Sequence, residues 1–149
     1  VVLNGKKLVG ILTEMSAQMN YIEYLVTGIG INANLREFPE ELEDKATSLQ
    51  KEIGHKVNRS ALIAECMEKI EENYEIFVKT QDLRGLMAAY QEALVNQDQQ
   101  VRVLEPGHEY TGVARGINAM GELLVEKEDG TITEVYAGEV SVRGLYGYV

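Results

Sequence analysis

The sequence predicts an α+β chain: a partial mixed β-sheet with helices, followed by a small SH3-like β-barrel. Three observations carry this reading. Two strand-like runs, residues 7–15 and 21–27, flank a short polar gap at 16–20, the pattern of an antiparallel hairpin. In the middle of the chain Leu62, Ile63, Met67, Ile70, Tyr74, Phe77 and Val78 recur at helical spacing. From Val101 onward short β-rich runs alternate with glycine-containing turns, as in a small barrel.

The elements follow in order. Residues 1–4 form a short β-branched strand, and Asn4-Gly5 is a strong turn signal. In the hairpin, Met15 is expected opposite Tyr21 and Leu8 opposite Gly28. Lys7 then reaches the end where Gly28, Gly30 and Asn32 lie. Gly10 sits inside its strand, where a glycine often marks close approach of a backbone or a ligand. Residues 28–38 read as a loop. Pro39-Glu40-Glu41 opens a short helix that ends near Gly54. Residues 57–80 give the strongest helix, with Asn58 or Ser60 as its cap. Asp82 caps another helix over 83–95, with Leu83, Leu86, Met87, Tyr90 and Leu94 as its apolar stripe.

The polar stretch 96–100 reads as a linker, dividing the chain into domains 1–98 and 99–149. Barrel strands are expected at 101–104, 110–114, 123–125, 131–136 and 140–142. Pro106-Gly107, Gly116, Asn118, Gly121, Asp129-Gly130 and Gly138 turn the chain between them.

Bulk properties narrow the function. The chain has 149 residues, enough to bury a core, and a formal net charge of −10. That charge argues against a nucleic-acid surface on this piece. Cys66 is the one cysteine, so an intrachain disulfide is impossible and a cytoplasmic setting is the default. Cys66 lies among apolar helix residues and is expected to be buried and inert. No apolar run is long enough for a membrane span, and no stretch of the sequence reads as a signal peptide. His55 and His108 are isolated, and the acidic run 37–44 reads as a solvated helix face, so no metal site is expected. The chain opens on Val1-Val2-Leu3 without a methionine, which suggests a piece of a longer protein.

The chemistry concentrates on the hairpin. A lysine, two backbone glycine positions and an amide at one spot suit a small molecule carrying a phosphate. Alone, Lys7 reads as an edge-strand charge that discourages aggregation. Likewise, Gly28-Ile29-Gly30-Ile31-Asn32 lacks the spacing of a dinucleotide fingerprint and alone reads as an ordinary strand-to-loop turn.

Taken together, Lys7-Leu8-Val9-Gly10-Ile11-Leu12 and Gly28-Ile29-Gly30-Ile31-Asn32 resemble the K-L-x-G-I-L strand and G-x-G-I-N turn of biotin protein ligases. Gly138-Glu139-Val140-Ser141-Val142-Arg143 is similar to the G-E-(I/V)-S-(L/V)-R ending of bacterial members, and Ala46-Thr47-Ser48-Leu49 resembles a further segment. The likeness runs from Val1 to about Arg143. It implies that biotin and ATP are substrates, with Mg²⁺, and that biotin passes to a lysine of a biotin carboxyl carrier domain. It leaves a homodimer open.

The resemblance also implies roles for particular residues. Lys7 would contact biotin and stabilise charge during adenylation. Gly10 and Leu12 would form a wall of the biotin pocket, although Leu12 fits core packing equally well. Gly28 and Ile31 would touch biotin or the adenylate, and Asn32 would bond on the nucleotide side. Arg143 would serve ATP, or form a surface ion pair with Glu139. Lys7 and Gly10 have opposite strand parity, so a bulge or backbone contacts must bring them together.

The family's G-R-G-R-x-x-R loop and W-P-N-D segment are absent from the chain. It therefore reads as the second half of the catalytic domain plus the C-terminal barrel, inactive alone. A lipoate-type ligase is an alternative, less favoured because of the K-L-x-G-I-L strand and the G-E-V-S-V-R ending. Another is a non-catalytic SH3-like module with a groove formed by Tyr110, Tyr136, Tyr146 and Tyr148.

Overall fold

The computed structural model describes residues 1–105, 107–136 and 141–144, the last four by their backbone. Its contacts form two compact units, Val1–Leu62 and Ile63–Val149. The polar stretch 96–100 falls inside the second unit.

The first unit opens with β1 (Val2–Leu3) and β2 (Lys6–Lys7), paired as Val2↔Lys7 and Leu3↔Lys6. Asn4 and Gly5 join them with φ of 51° and 76°, the positive angles of a type I′ turn. The long hairpin follows: β3 (Val9–Gln18) and β4 (Tyr21–Ile31) are antiparallel.

Its register differs from the expected one. Leu12, not Leu8, faces Gly28, and Met15 faces Leu25. The strands run on through Ser16 and Gln18, because a bulge beside Ser16 and Ala17 gives these polar side chains a partner. The Glu23 carboxylate accepts from Ser16 Oγ at 2.7 Å and Gln18 Nε2 at 2.6 Å. These bonds hold its pKa below the ordinary glutamate range, the Ser16 bond contributing most. The glycine block is also strand rather than loop, since Gly28 and Gly30 stand in the ladder opposite Leu12 and Gly10.

The single helix expected between Pro39 and Gly54 is divided. A 3-10 turn, Glu40–Leu42, is followed by α1 (Leu49–Ile53). The backbone between them bonds to β2 instead: Lys7 N–H donates to Lys45 C=O at 2.8 Å, and Thr47 N–H donates to Lys7 C=O at 3.0 Å. Ser48 caps α1 by accepting from Lys51 N–H, and Gly54 ends it in the left-handed conformation.

Helix α2 (Arg59–Thr80) starts as expected, with Asn58 Oδ1 accepting from the N–H groups of Ser60 and Ala61. Cys66 on this helix is half-buried, not buried, because α2 leaves Met67, Ile70 and Tyr74 around it exposed. Helix α3 (Met87–Ala93) is shorter than expected. Leu83 N–H donates to Ala119 C=O, and Asp82 accepts from Arg84 N–H, so the first turn is diverted.

Five strands complete the second unit: β5 (Gln100–Leu104), β6 (Tyr110–Ile117), β7 (Leu123–Glu126), β8 (Ile132–Val135) and β9 (Ser141–Gly144). They form one antiparallel sheet in the order β8-β7-β6-β5-β9. Among the described residues this SH3-like sheet is open, with β8 and β9 at its edges. Its core is Val101, Val103, Ala114 and Val125, with Tyr110, Leu123 and Val135 packed against it. The stretch before β5 is tied to the sheet: Asp98 N–H donates to Ala114 C=O at 2.8 Å. Arg115 binds Asp98 and Glu126, each at 2.6 Å.

Gly112 is where β6 and β7 come closest. A Cβ there would lie 2.5 Å from Glu126 O and 2.6 Å from Val125 Cγ1. The carbonyl cannot retreat without parting the two strands. Gly112→Ala is therefore expected to destabilise this unit by about 1–3 kcal/mol, as overpacking does. Denaturant unfolding checks this, and an unchanged midpoint would contradict the close approach.

Candidate functional site

Strand pairing sets the floor of the site. Gly10 opposes Gly30 and Leu12 opposes Gly28, so alternation puts these four positions on one face of the hairpin. Three of them carry no side chain, leaving flat, accessible backbone. A Cβ on Gly28 would meet Leu12 O at 3.7 Å, and one on Gly30 would meet Gly10 O at 3.8 Å. Both are ordinary contacts, so the glycines keep a surface clear rather than relieve crowding. Leu12 is 66 % exposed beside this floor. Of its two readings, core packing is thereby excluded in this unit.

Lys7 lies over the same floor. Its Cε and Nζ come within 3.7 and 3.8 Å of the point a Gly10 Cβ would occupy. The parity conflict is resolved at Leu8, which stands between β2 and β3 and belongs to neither strand. Alternation restarts there, so Lys7 and Gly10 share a face. The Lys6 ammonium turns away to donate to Glu43 C=O at 2.8 Å. Lys7 Nζ has no hydrogen-bond partner among the described residues.

The other expected residues fall in both units. Ile31 opposes Val9, so its side chain shares the opposite face with Ile11 and Ile29. Its backbone alone can reach the glycine side. Asn32 stands at the Lys7 end of the hairpin, with its N–H donating to Leu8 C=O at 3.0 Å. Arg143 belongs to β9 in the second unit, where its backbone opposes Arg102. Its side chain lies outside the described residues, as do Gly138, Glu139 and Val140.

Sequence reasoning noted residues 46–49 only as a resemblance and gave the residues that hold this arrangement no role. Thr47 and Ser48 are buried. Thr47 N–H bonds Lys7 C=O, while Leu49 N–H bonds Asn32 C=O at 2.9 Å. The segment Ala46-Thr47-Ser48-Leu49 thus stitches the Lys7 strand to the Asn32 end of the hairpin. Ser48 Oγ also donates to Leu35 C=O. Asn34 exchanges two hydrogen bonds with the Val57 backbone, at 3.0 and 2.9 Å. Glu52 accepts from Thr47 Oγ1 and Asn4 Nδ2. Those bonds, Thr47 foremost, hold its pKa below the usual glutamate range, with help from the Lys6 and Lys51 charges. One signal was available: Ser48 and Gly54 have the types and spacing of helix caps.

The aromatic-groove alternative gains little. Tyr110 is half-buried against the sheet core, with Lys127 Nζ 4.3 Å from its ring centroid. Burial, aided by the Glu105 charge, raises its hydroxyl above the ordinary tyrosine range. Tyr136 is exposed, and Tyr146 and Tyr148 lie outside the described residues. Among the described residues, no group of three or more His, Cys, Asp or Glu could hold a metal ion. No described helix is long and apolar enough to cross a membrane.

Comparison with known proteins bears on the family and the fold. Residues 98–143 match the family model of the biotin protein ligase C terminal domain. The bifunctional ligase/repressor BirA of Bacillus subtilis (strain 168) is 32% identical over 144 residues, covering 95% of this chain and 44% of that protein. BirA of Escherichia coli (strain K12) is 28% identical over 141 residues, covering 95% and 43%. The apo structure of biotin protein ligase from Aquifex aeolicus superposes with a TM-score of 0.81 at 31% identity, covering 95% of this chain and 61% of that one. The Aquifex aeolicus enzyme in complex with biotin and ATP gives 0.78 at 29% identity, covering 95% and 58%. The chain spans less than half the length of the curated relatives it matches. Sequence and fold thus agree that the chain is a counterpart of the C-terminal part of biotin protein ligases.

Proposed function

We propose that the protein of which this chain is a part activates biotin with ATP and transfers it to a lysine of a biotin carboxyl carrier domain. One observation carries the reading: an ammonium stands over an open glycine floor, with Asn32 at the same end. In the first step a biotin carboxylate oxygen bonds to the α-phosphorus of ATP and pyrophosphate leaves. In the second, the carrier lysine's amine attacks the acyl carbonyl and AMP leaves.

Two anions meet in the first step, and Lys7 offsets the charge that builds between them. Gly10 and Gly28 let a flat ring system lie on the backbone, Leu12 adds apolar contact, and Ile31 contributes through its main chain. Asn32 bonds on the nucleotide side, and the Arg143 fork suits phosphate. Mg²⁺ enters with ATP, bound chiefly by the phosphates. The reading sets the protein in the cytoplasm, where carboxylases are modified. It keeps a domain boundary at 98–99, supported by the family match that begins at residue 98.

The floor supplies the test. Gly10 and Gly28 have backbone angles open to any residue, and an added Cβ meets no closer neighbour than 3.7 Å. Gly10→Ala and Gly28→Ala should therefore fold normally in the intact ligase while a methyl lifts the ring from the backbone. A single added carbon in a shaped pocket is worth roughly 10–200-fold. We expect the KM for biotin to rise by at least about tenfold in each. An unchanged KM in both variants would refute the site.

A further inference from the structure

We propose that Glu52 is the positioning residue that holds Lys7 over the glycine floor, a proposal that rests on Lys7 being the adenylation lysine. Strand β2 has two residues, Lys6 and Lys7, and so has little pairing of its own. It is supported on both sides, and both supports lead to the Glu52 carboxylate.

On one side β1 pairs with β2 through the Asn4-Gly5 turn, and Asn4 Nδ2 donates to Glu52 Oε2 at 2.6 Å. On the other side Thr47 N–H donates to Lys7 C=O at 3.0 Å, and Thr47 Oγ1 donates to Glu52 Oε1 at 2.5 Å. Thr47 is 1 % exposed, so its hydroxyl has little freedom to move. An ionised carboxylate accepts at both oxygens, which is what these two donors require. α1 carries Glu52, and its Ser48 cap and Gly54 end fix where that carboxylate lies. Glu52 itself touches neither the floor nor Lys7, so its effect passes through the backbone of β2.

Without this tie the turn and the 45–47 segment lose their common anchor, and the Lys7 ammonium drifts from Gly10. A misplacement of about 1 Å can cost on the order of 10²-fold in rate. The test is single-turnover adenylate formation by the intact ligase in four variants. Lys7→Ala and Glu52→Ala should each be slow, the latter by roughly 10- to 100-fold. Glu52→Gln should restore most of the rate, because its amide oxygen still accepts from Asn4 and its NH₂ can donate to the Thr47 hydroxyl. The double variant Lys7→Ala/Glu52→Ala should be no slower than Lys7→Ala.

A wild-type rate in Glu52→Ala beside a slow Lys7→Ala would overturn the positioning role and leave the Lys7 reading standing. A double variant much slower than Lys7→Ala would also overturn it, since Glu52 would then act through general stability. A wild-type rate in Lys7→Ala would remove the Lys7 reading and this proposal with it.

Discussion

Lys7→Ala is expected to slow biotinyl-adenylate formation by the intact ligase by on the order of 10²-fold or more, with the fold unchanged. The two halves of that expectation come from different atoms of one residue. The Lys7 backbone is fixed on both sides, by Val2 in β1 and by Lys45 and Thr47. Alanine keeps all of those bonds. The side chain is exposed and reaches across Gly10, so its removal subtracts charge from the floor and little else. Single-turnover adenylation measures the first half, and an unchanged unfolding transition the second. An unaltered rate would take Lys7 out of the mechanism.

The 149-residue chain mixed with biotin, ATP and Mg²⁺ is expected to form no biotinyl-adenylate, and to bind biotin weakly. Holding both reactants in attack geometry can contribute roughly 7–11 kcal/mol to such a step. In the first unit the site has one floor, with Leu12 and Ile11 exposed on its two faces. Lys7 and Asn32 cannot replace the donors of an arginine- and glycine-rich loop, which the sequence does not contain. An open face also keeps water around the reacting charges and weakens each remaining electrostatic contact. Radiolabelled adenylate on a thin-layer plate decides the matter, and turnover by this chain would require a mechanism built on other residues.

Much of the fold was legible because its signals are local. The Asn4-Gly5 turn, the Asn58 cap and the apolar spacing of α2 each depend on neighbours within a few residues. The five β-rich runs after Val101 are likewise separated by their own turn residues. That residues 7–12 and 28–32 come together on one hairpin was legible too, because each is a compact block.

The register was not legible. Ile11, Leu12, Met15, Leu25 and Val26 are apolar on both faces of the hairpin, so a slip exchanges one apolar row for another and the pattern cannot exclude it. Long-range bonds settled the remainder. Residues 45–47 left a helix to pair with Lys7, since a two-residue strand needs an external partner. Leu83 surrendered its helical turn to Ala119. Glu52 is an exposed glutamate on a five-residue helix, with nothing in its local sequence to mark it. Its meaning comes from Asn4, 48 positions away, and from a buried threonine. Types and spacing along a chain record which groups are available for chemistry. Which of them meet depends on hydrogen bonds between segments, and those form when the chain folds.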